Sequence, residues 1–453
     1  VTAEVEQIDV LTSSEALELA IYDSETLRER LEQLHASEVA EILLGCRTDD
    51  ERLIIIEYVP EPMLGDTLLE LPDGVREELL SRLSERHIGD AVEHLDSDDA
   101  ADLLQAVDRE MAEKVIERLE PEDRRGLEPL LAHDEESAGG LMQAELFKVR
   151  AEWSVEKVMG VLRRWGKEID NLNYVYVVDD EDRLVGVVPL HELLFADQEE
   201  QIGDVADDQF PKALAGEDQE EVAHTFERYD VLALPVVNEE GVLVGRITAD
   251  DILDVLQEEA TEDMYRLAAL SHQDDLSEPV GITAWRRGIW LTVNLGTAIL
   301  ASVVISQFEA TLAQIVALAV LMPIVASMGG IAGTQTLTVI VRGIALGRVT
   351  FGNARRALLK EVTVSLVTGL SFALLMGVIA AFWFPQLGSG LGLVIAAAMM
   401  VNLLAAGLSG ALIPLTLQRL NIDPALASGT ILTTVTDVVG FFTFLGLATL
   451  FLL

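Results

Sequence analysis

The sequence predicts a multidomain membrane protein. In order, it has an all-α superhelical front domain, a duplicated α/β pair, a linker helix and a five-helix all-α transmembrane domain. Charge makes the first argument. Of the 77 acidic residues among 453, only Glu309, Glu361, Asp423 and Asp437 lie beyond residue 280, where eight basic residues also lie. The front part therefore carries 73 acids against 23 bases, about −50, and the back part is near +4 and apolar. That is a water-facing module joined to a lipid-facing one. The second argument is an internal repeat: VYVVDDEDRLVGVVPLHELL (175–194) matches LPVVNEEGVLVGRITADDIL (234–253) at a constant offset of 59. The third is a set of apolar stretches at 288–306, 312–342, 361–384, 391–417 and 429–453. Each is long enough to cross a hydrocarbon core of about 30 Å.

Residues 1–132 read as short amphipathic helices with a weak repeat, seen in LEQLHASEVAEIL (31–43), EHLDSDDAADLL (93–104) and ERLEPEDRRGLEPLL (117–131). Each segment has a leucine, a polar break that suits a helix start, then acids and apolar residues at helical spacing. Such units stack into a superhelical array. The repeated segments divide the next stretch into 137–199 and 200–262. In each copy a β-branched strand, an acidic turn and a second strand through Gly186 or Gly245 lead to a helix start. Residues 263–284 are polar and form the predicted linker, and 285–453 form the membrane domain.

Basic residues orient that domain. Arg286 and Arg287 precede the first apolar stretch, Arg342, Arg348, Arg355, Arg356 and Lys360 fill the second connection, and Arg419 marks the fourth. With five crossings all of these fall on one side, which is therefore cytoplasmic. The acidic front half is expected inside the cell and the C-terminus outside.

Several functions are excluded. The lone Cys46 supports neither a disulfide framework nor a cysteine-rich metal site. Seven scattered histidines, none beyond His272, support no zinc site or hydrolytic triad. There is no Walker-type loop, which argues against a pumping ATPase, and with no catalytic set in view no enzyme is expected. No secretory signal is read at the start. So acidic a surface repels nucleic acid and favours cations. With only six lysines, it also suits a high-salt habitat, an alternative source of the acidity that stays open.

Two places in the membrane half could carry transport. In LMPIVASMGGIAGTQTLTVIVRG (321–343), Pro323 and Gly329, Gly330 and Gly333 predict an interrupted, pore-lining helix, with a tightly packed small-residue helix pair as the alternative. Freed carbonyls, with Gln335, Thr334, Thr336 and Thr338, would face a water-filled path rather than lipid. Asp437 sits inside an apolar helix with no base nearby on it, and Thr433 lies one turn earlier on the same face. An unpaired carboxylate there needs a partner, water or a cation. A hard divalent ion such as Mg²⁺ takes oxygen ligands and keeps several waters. A packing aspartate and a proton relay are the alternatives. Asp423, in NIDPALASG, is expected at the cytoplasmic mouth as a helix cap. In the soluble half, acids crowd DSDDAAD (96–102), EDQEE (217–221) and DDILDVLQEEATED (250–263). Cations between them would relieve the repulsion, and a conformation that binds such ions better would be favoured by them. A solvated, salt-adapted face explains the same residues.

The duplicated segments resemble CBS domains. With the acidic helical front and five terminal helices, the whole chain resembles the MgtE family of magnesium channels. The matching segments are DEESAGGLM (134–142), LPVVNEEGVLVGRITADDILDVLQEEATEDM (234–264), MPIVASMGGIAGTQTLTVIVRGIALG (322–347) and DPALASGTILTTVTDVVG (423–440). The resemblance implies a homodimer in a bacterial or archaeal cell membrane. Its pore would run along the symmetry axis, with Asp437 holding a hydrated Mg²⁺ and Thr433 as the next pore-facing group. It implies closure by cytoplasmic Mg²⁺ at Asp98 and Asp102 of the front domain. The matching acids of the second CBS domain and its following helix are Asp218, Glu220, Asp230, Asp251, Asp254, Glu259, Glu262 and Asp263. Two departures stand out: Ile331 replaces a common Asn in GGIAGTQ, and Gly429 replaces an Asn found in some members. Some CBS pairs bind adenine nucleotides through G-x-x-T-x-x-D. The second copy keeps it as Gly245, Thr248 and Asp251, whereas the first has Pro189 for the threonine, so ATP is expected, if anywhere, at the second. Two alternatives follow: a broader divalent transporter carrying Co²⁺, Ni²⁺ or Mn²⁺, and a non-conducting membrane sensor.

Overall fold

The structure, a computed structural model, describes residues 11–166, 169, 171–268, 270, 280–426 and 428–453, without the side chain of Glu122. They form two compact units, Val1–Glu259 and Ala260–Leu453.

The first unit opens with short helices: α1 (Ser13–Tyr22), α2 (Ser24–Leu31), α3 (Ala36–Leu44), α4 (Asp49–Ile56) and α5 (Glu61–Leu69). They continue as α6 (Asp73–Leu80), α7 (Glu85–Val92), α8 (Ser97–Gln105), α9 (Arg109–Arg118) and α10 (Pro121–Leu130). Side-chain oxygens of Thr12, Asp23, Thr48, Ser84 and Asp108 cap α1, α2, α4, α7 and α9, which is why polar breaks punctuate the leucines. Helices pack two apart along the chain, α1 on α3, α3 on α5, α5 on α7 and α7 on α9, with α4 on α6 and α8 on α10. That alternation builds the superhelical array around buried Leu27, Leu31, Leu43, Leu68 and Leu79.

The duplication survives at the level of strand register. One sheet is β1 (Lys148–Arg150), β2 (Tyr174–Val178) and β3 (Leu184–Pro189); the other is β4 (Ala213–Leu214), β5 (Ala233–Val237) and β6 (Leu243–Thr248). Val177 pairs with Gly186, and Val236 with Gly245, so both partners move by the offset of 59. Each antiparallel ladder also slips just after that pair. The copies exchange their leading segments: Gln143 bridges Arg246 of β6, and Asp207 bridges Val187 of β3. The opening stretch of each copy therefore bridges to the last strand of the other copy's sheet. Helices α11 (Val155–Trp165), α12 (Ile202–Val205) and α13 (Gln219–Tyr229) complete the pair, and α14 (Ala249–Leu267) leaves β6.

In the second unit five helices are long and apolar enough to cross a membrane. They are α15 (Val280–Ser306), α17 (Ala317–Ala345), α18 (Ala354–Trp383), α19 (Gly388–Arg419) and α20 (Ser428–Phe451), with short α16 (Glu309–Gln314) before α17. Helix α19 packs against α17, α18 and α20 and is the central post of the bundle. The linker region is only partly described: 263–267 ends α14, 280–284 begins α15, and 269 and 271–279 lie outside the described residues.

One expectation is corrected. The second apolar stretch is not broken; Pro323, Gly329, Gly330, Gly333 and Gln335 all lie within the continuous helix α17. A single proline removes one ladder hydrogen bond, which a membrane helix tolerates when neighbours pack around it. The glycines serve packing. A Cβ at Gly329 would fall 2.2 Å from Asn402 Nδ2, and one at Gly333 2.8 Å from Leu432 Cδ1.

Candidate functional site

Asp437 lies more than two turns inside α20, half-buried, with no hydrogen bond or ion pair among the described residues. Thr433, one turn earlier, is exposed, and its hydroxyl donates to the Gly429 and Thr430 carbonyls. Its oxygen lone pairs stay available beside the carboxylate. Thr436 is fully buried and its hydroxyl donates to Thr433 O, so it turns away from that face. Asp423 is not a helix cap. It makes a turn, accepting from Ala425 N at 2.7 Å, and pairs with Arg266 near the end of α14.

Helix α17 has two faces. Gly329 and Gly333 point into the bundle. Ser327, Gly330, Ile331, Thr334, Gln335, Thr338 and Val339 line an open groove of about 730 Å³. Its residues recur at four-residue spacing, 327–331–335–339 and 330–334–338, which is one side of a helix. Hydroxyls and an amide furnish it without charge, and Ile331, 55% exposed, is its apolar interruption. A Cβ at Gly330 meets nothing within 4 Å among the described residues. Pro323 lies outside this groove.

The acidic surface of the first unit forms where α8 meets the second CBS copy. Ser97 Oγ donates to Glu145 at 2.8 Å and accepts from Ala144 N at 2.7 Å, which seats the start of α8 on the strand-exchange segment. Asp98 is then 6% exposed, with Oδ1 buried and unpartnered. Burial, and after it Asp251 and Asp99, push its carboxyl well above the usual range. Asp99 is raised to about 7 by burial and then by Asp251, Asp102, Asp96 and Asp66. Asp102, at the exposed rim, is raised to about 6 by the protein crowded round it and by Glu135, Glu258 and Asp251, against the pull of Arg76. Asp251 is raised to about 6, chiefly by burial, although Thr248 hydrogen-bonds it. Neighbouring Gln143 Oε1 is a second buried acceptor without a donor. Crowded carboxylates and orphaned acceptors are the donor set that a hydrated Mg²⁺ fits. Among the described residues no three acids or histidines close into a preformed metal cage.

The structure thus brings Asp98, Asp102 and Asp251 together and adds Asp99, which sequence reasoning left out. Its signal was present in DSDDAAD, where Asp99 shares the first turn of α8 with Asp98. Asp254 is exposed on α14, and Glu259 accepts from Gln219 Nε2 at 2.7 Å. Glu262, one turn from Arg266, pairs with it, and Asp263 lies on the same helix within the second unit. Asp218 and Asp230 have local duties. Asp218 caps α13 by accepting from Glu220 N, and Asp230 ends that helix in a left-handed conformation at φ 52°. Glu220 is exposed in the first turn of α13.

Of the nucleotide motif, Gly245 admits the crossing segment, since a Cβ there would lie 2.7 Å from Met142 and 2.8 Å from Gln143 O. Thr248 Oγ1 donates to Asp251 Oδ2 at 2.6 Å. That bond fastens the start of α14 and holds Asp251 toward α8.

Known proteins resemble every part of the chain. Residues 322–447 match the MgtE divalent cation transporter profile, 34–136 the MgtE intracellular N domain, and 138–199 and 202–258 the CBS domain. The magnesium transporter MgtE of Thermus thermophilus is 34% identical over 441 residues, 95% of this chain and 96% of that protein. The magnesium transporter MgtE of Bacillus subtilis is 32% identical over 404 residues, 89% of each. Among solved structures, the cytosolic domain of the Mg²⁺ channel MgtE in complex with ATP is 34% identical at a TM-score of 0.50. The match covers 53% of this chain and 98% of that one.

Proposed function

The chain belongs to the MgtE family of magnesium transporters, and from that premise we propose that it is a homodimeric Mg²⁺ channel closed by Mg²⁺ on its cytoplasmic side. It is a multi-pass membrane protein, and its relatives move ions rather than make or break bonds. The observation that carries the proposal is Asp437, a carboxylate inside a membrane helix with no protein partner among the described residues. A charge there is stable beside a cation or water and costly beside lipid. With Thr433 it offers oxygens to a hydrated ion, while Gly330, Thr334, Gln335 and Thr338 furnish the groove of α17. One copy leaves both surfaces open, and a second copy supplies the missing wall of a pore. On this reading the protein sits in a bacterial or archaeal cell membrane, and the clustered bases favour an N-terminus inside the cell and a C-terminus outside.

Closure is assigned to the carboxylates of α8 and α14. Mg²⁺ held among Asp98, Asp99, Asp102 and Asp251 would neutralise acids that otherwise repel, and so favour the conformation that gathers them. Asp218, Glu220, Asp254 and Glu259 extend the surface to further ions, and Glu262 and Asp263, further along α14, are proposed as regulatory ligands as well. A nucleotide such as ATP is placed at Gly245, Thr248 and Asp251 of the second CBS copy. There Asp251 would leave Thr248 to accept from ribose hydroxyls.

Mg²⁺ entry into proteoliposomes, with the cytoplasmic face at low and then high Mg²⁺, tests the proposal. Wild type should conduct only when that face is Mg²⁺-poor, and Asp437→Ala should be impaired or unselective. A folded wild type that passes no Mg²⁺ in either state refutes it. Ile331 favours a second reading, broader divalent transport, because it puts a branched alkyl group where the groove is otherwise polar. Competition by Co²⁺, Ni²⁺ and Mn²⁺ separates the two.

A further inference from the structure

Near the middle of α19, Asn402 is fully buried, at 0% exposed, in the core of the membrane bundle. Its Nδ2 donates to the Val325 carbonyl of α17 at 2.8 Å. Its Oδ1 is buried with no hydrogen-bond partner among the described residues. Two neighbours are cut back to receive it. A Cβ at Gly329 of α17 would lie 2.2 Å from Nδ2, and one at Gly440 of α20 would lie 2.8 Å from the same nitrogen. Three helices therefore meet at one amide, with glycine on both flanks.

An amide is a costly residue for that position. Leucine or alanine would fill comparable space, and a carbonyl oxygen left unpaired away from water is destabilising. What the amide adds is direction: a hydrogen bond onto the backbone of α17 and a flat face wedged against α20. Each residue advances a helix by about 100°. Holding Gly329 inward thus turns Gly330 and Ile331 toward the groove. Holding Gly440 inward sets Asp437, three residues earlier, about 60° round α20 on its half-exposed face.

Resting on the reading of Asp437 as the ion site, we propose that Asn402 is a positioning residue for ion selection. It fixes the rotation of α17 and α20, and so the spacing between Asp437 and the groove across which an ion is recognised. It touches no ion itself.

The test measures Mg²⁺ and Co²⁺ entry separately in proteoliposomes of the full chain. Asn402→Leu removes the amide at similar volume. It should conduct with its Mg²⁺:Co²⁺ ratio shifted by about fivefold, the factor carried by one cross-helix hydrogen bond in a membrane. Gly329→Ala should lose flux, because its methyl meets the amide; the double variant Gly329→Ala/Asn402→Ala should regain flux but not the ratio. A wild-type ratio in Asn402→Leu overturns the proposal, and if that variant does not fold, Asn402→Ala decides by the same measure. If wild type passes neither ion, the reading of Asp437 fails instead. The wedge is then judged by thermal unfolding: a Gly329→Ala loss that persists undiminished in the Asn402→Ala background overturns it, and one that vanishes there supports it.

Discussion

Asp98 shows what a single carboxylate can demand of its surroundings. It is 6% exposed, one oxygen has no donor, and Asp251 and Asp99 face it as like charges. Near neutral pH it must hold a proton or attract a cation, because a bare buried carboxylate costs too much. Asp98→Asn removes the choice. The full chain without Mg²⁺ should then unfold at higher temperature, by an amount worth about 1–2 kcal/mol. The extra stability gained on adding Mg²⁺ should shrink in the same variant. Calorimetry with and without Mg²⁺ measures both, and an unchanged Mg²⁺ gain removes Asp98 from the regulatory set. Asp98 and Asp251 were named in the sequence through a family resemblance, on stretches already visible as crowded with acids. Asp99 stood beside Asp98 in DSDDAAD but was not singled out, because a sequence shows which acids crowd one turn and not which of them meet another domain.

Helix α17 shows why a residue pattern can be found and its geometry misread. Proline and three glycines within a dozen residues predicted a break, with close packing as the alternative, and the helix runs on unbroken. A break and a tight helix crossing use the same small residues, and only the neighbours tell them apart. Those neighbours rank the glycines. A Cβ at Gly410 would lie 2.7 Å from the Gly333 carbonyl, a backbone atom that cannot turn aside, whereas at Gly333 the nearest atom is a leucine methyl. Gly410→Ala should therefore destabilise the membrane unit by about 1–3 kcal/mol, and Gly333→Ala by less. Gly330→Ala should unfold as wild type does but alter flux, since its methyl enters the groove. Thermal unfolding of the three in detergent checks the order. Equal losses at Gly410 and Gly330 would mean that the helices do not approach as closely as this. The strand register, by contrast, was legible to the residue, because a duplicated hairpin repeats its turn and its glycine together.

Across the whole molecule, charge sets the conditions under which the first unit holds together. The front part carries 73 acids against 23 bases, and its sequence alone could not distinguish salt adaptation from ion sensing. The folded unit separates a few acids from the rest by crowding them beside one another, from buried Asp98 out to Asp102 at the rim. Asp99, Asp102 and Asp251 have carboxyls raised to about 7, 6 and 6 from an ordinary 3.8. A carboxyl raised by folding binds more protons folded than unfolded, so its contribution is full below about pH 4 and is lost as pH rises through 6 to 7. Without Mg²⁺ the contact of α8 with α14 should therefore be firm at pH 5 and weak at pH 8. Bound Mg²⁺ should restore it at pH 8 and add little at pH 5, where protons already occupy the oxygens. Hydrogen exchange of the full chain, read on α8 and α14, measures this with and without a chelator at each pH. Protection lost to the chelator at pH 8 but not at pH 5 is the expected result, and it would tie the acidity to ion sensing. Equal loss at both, or none at either, would return these acids to the solvated surface and leave gating to be sought elsewhere.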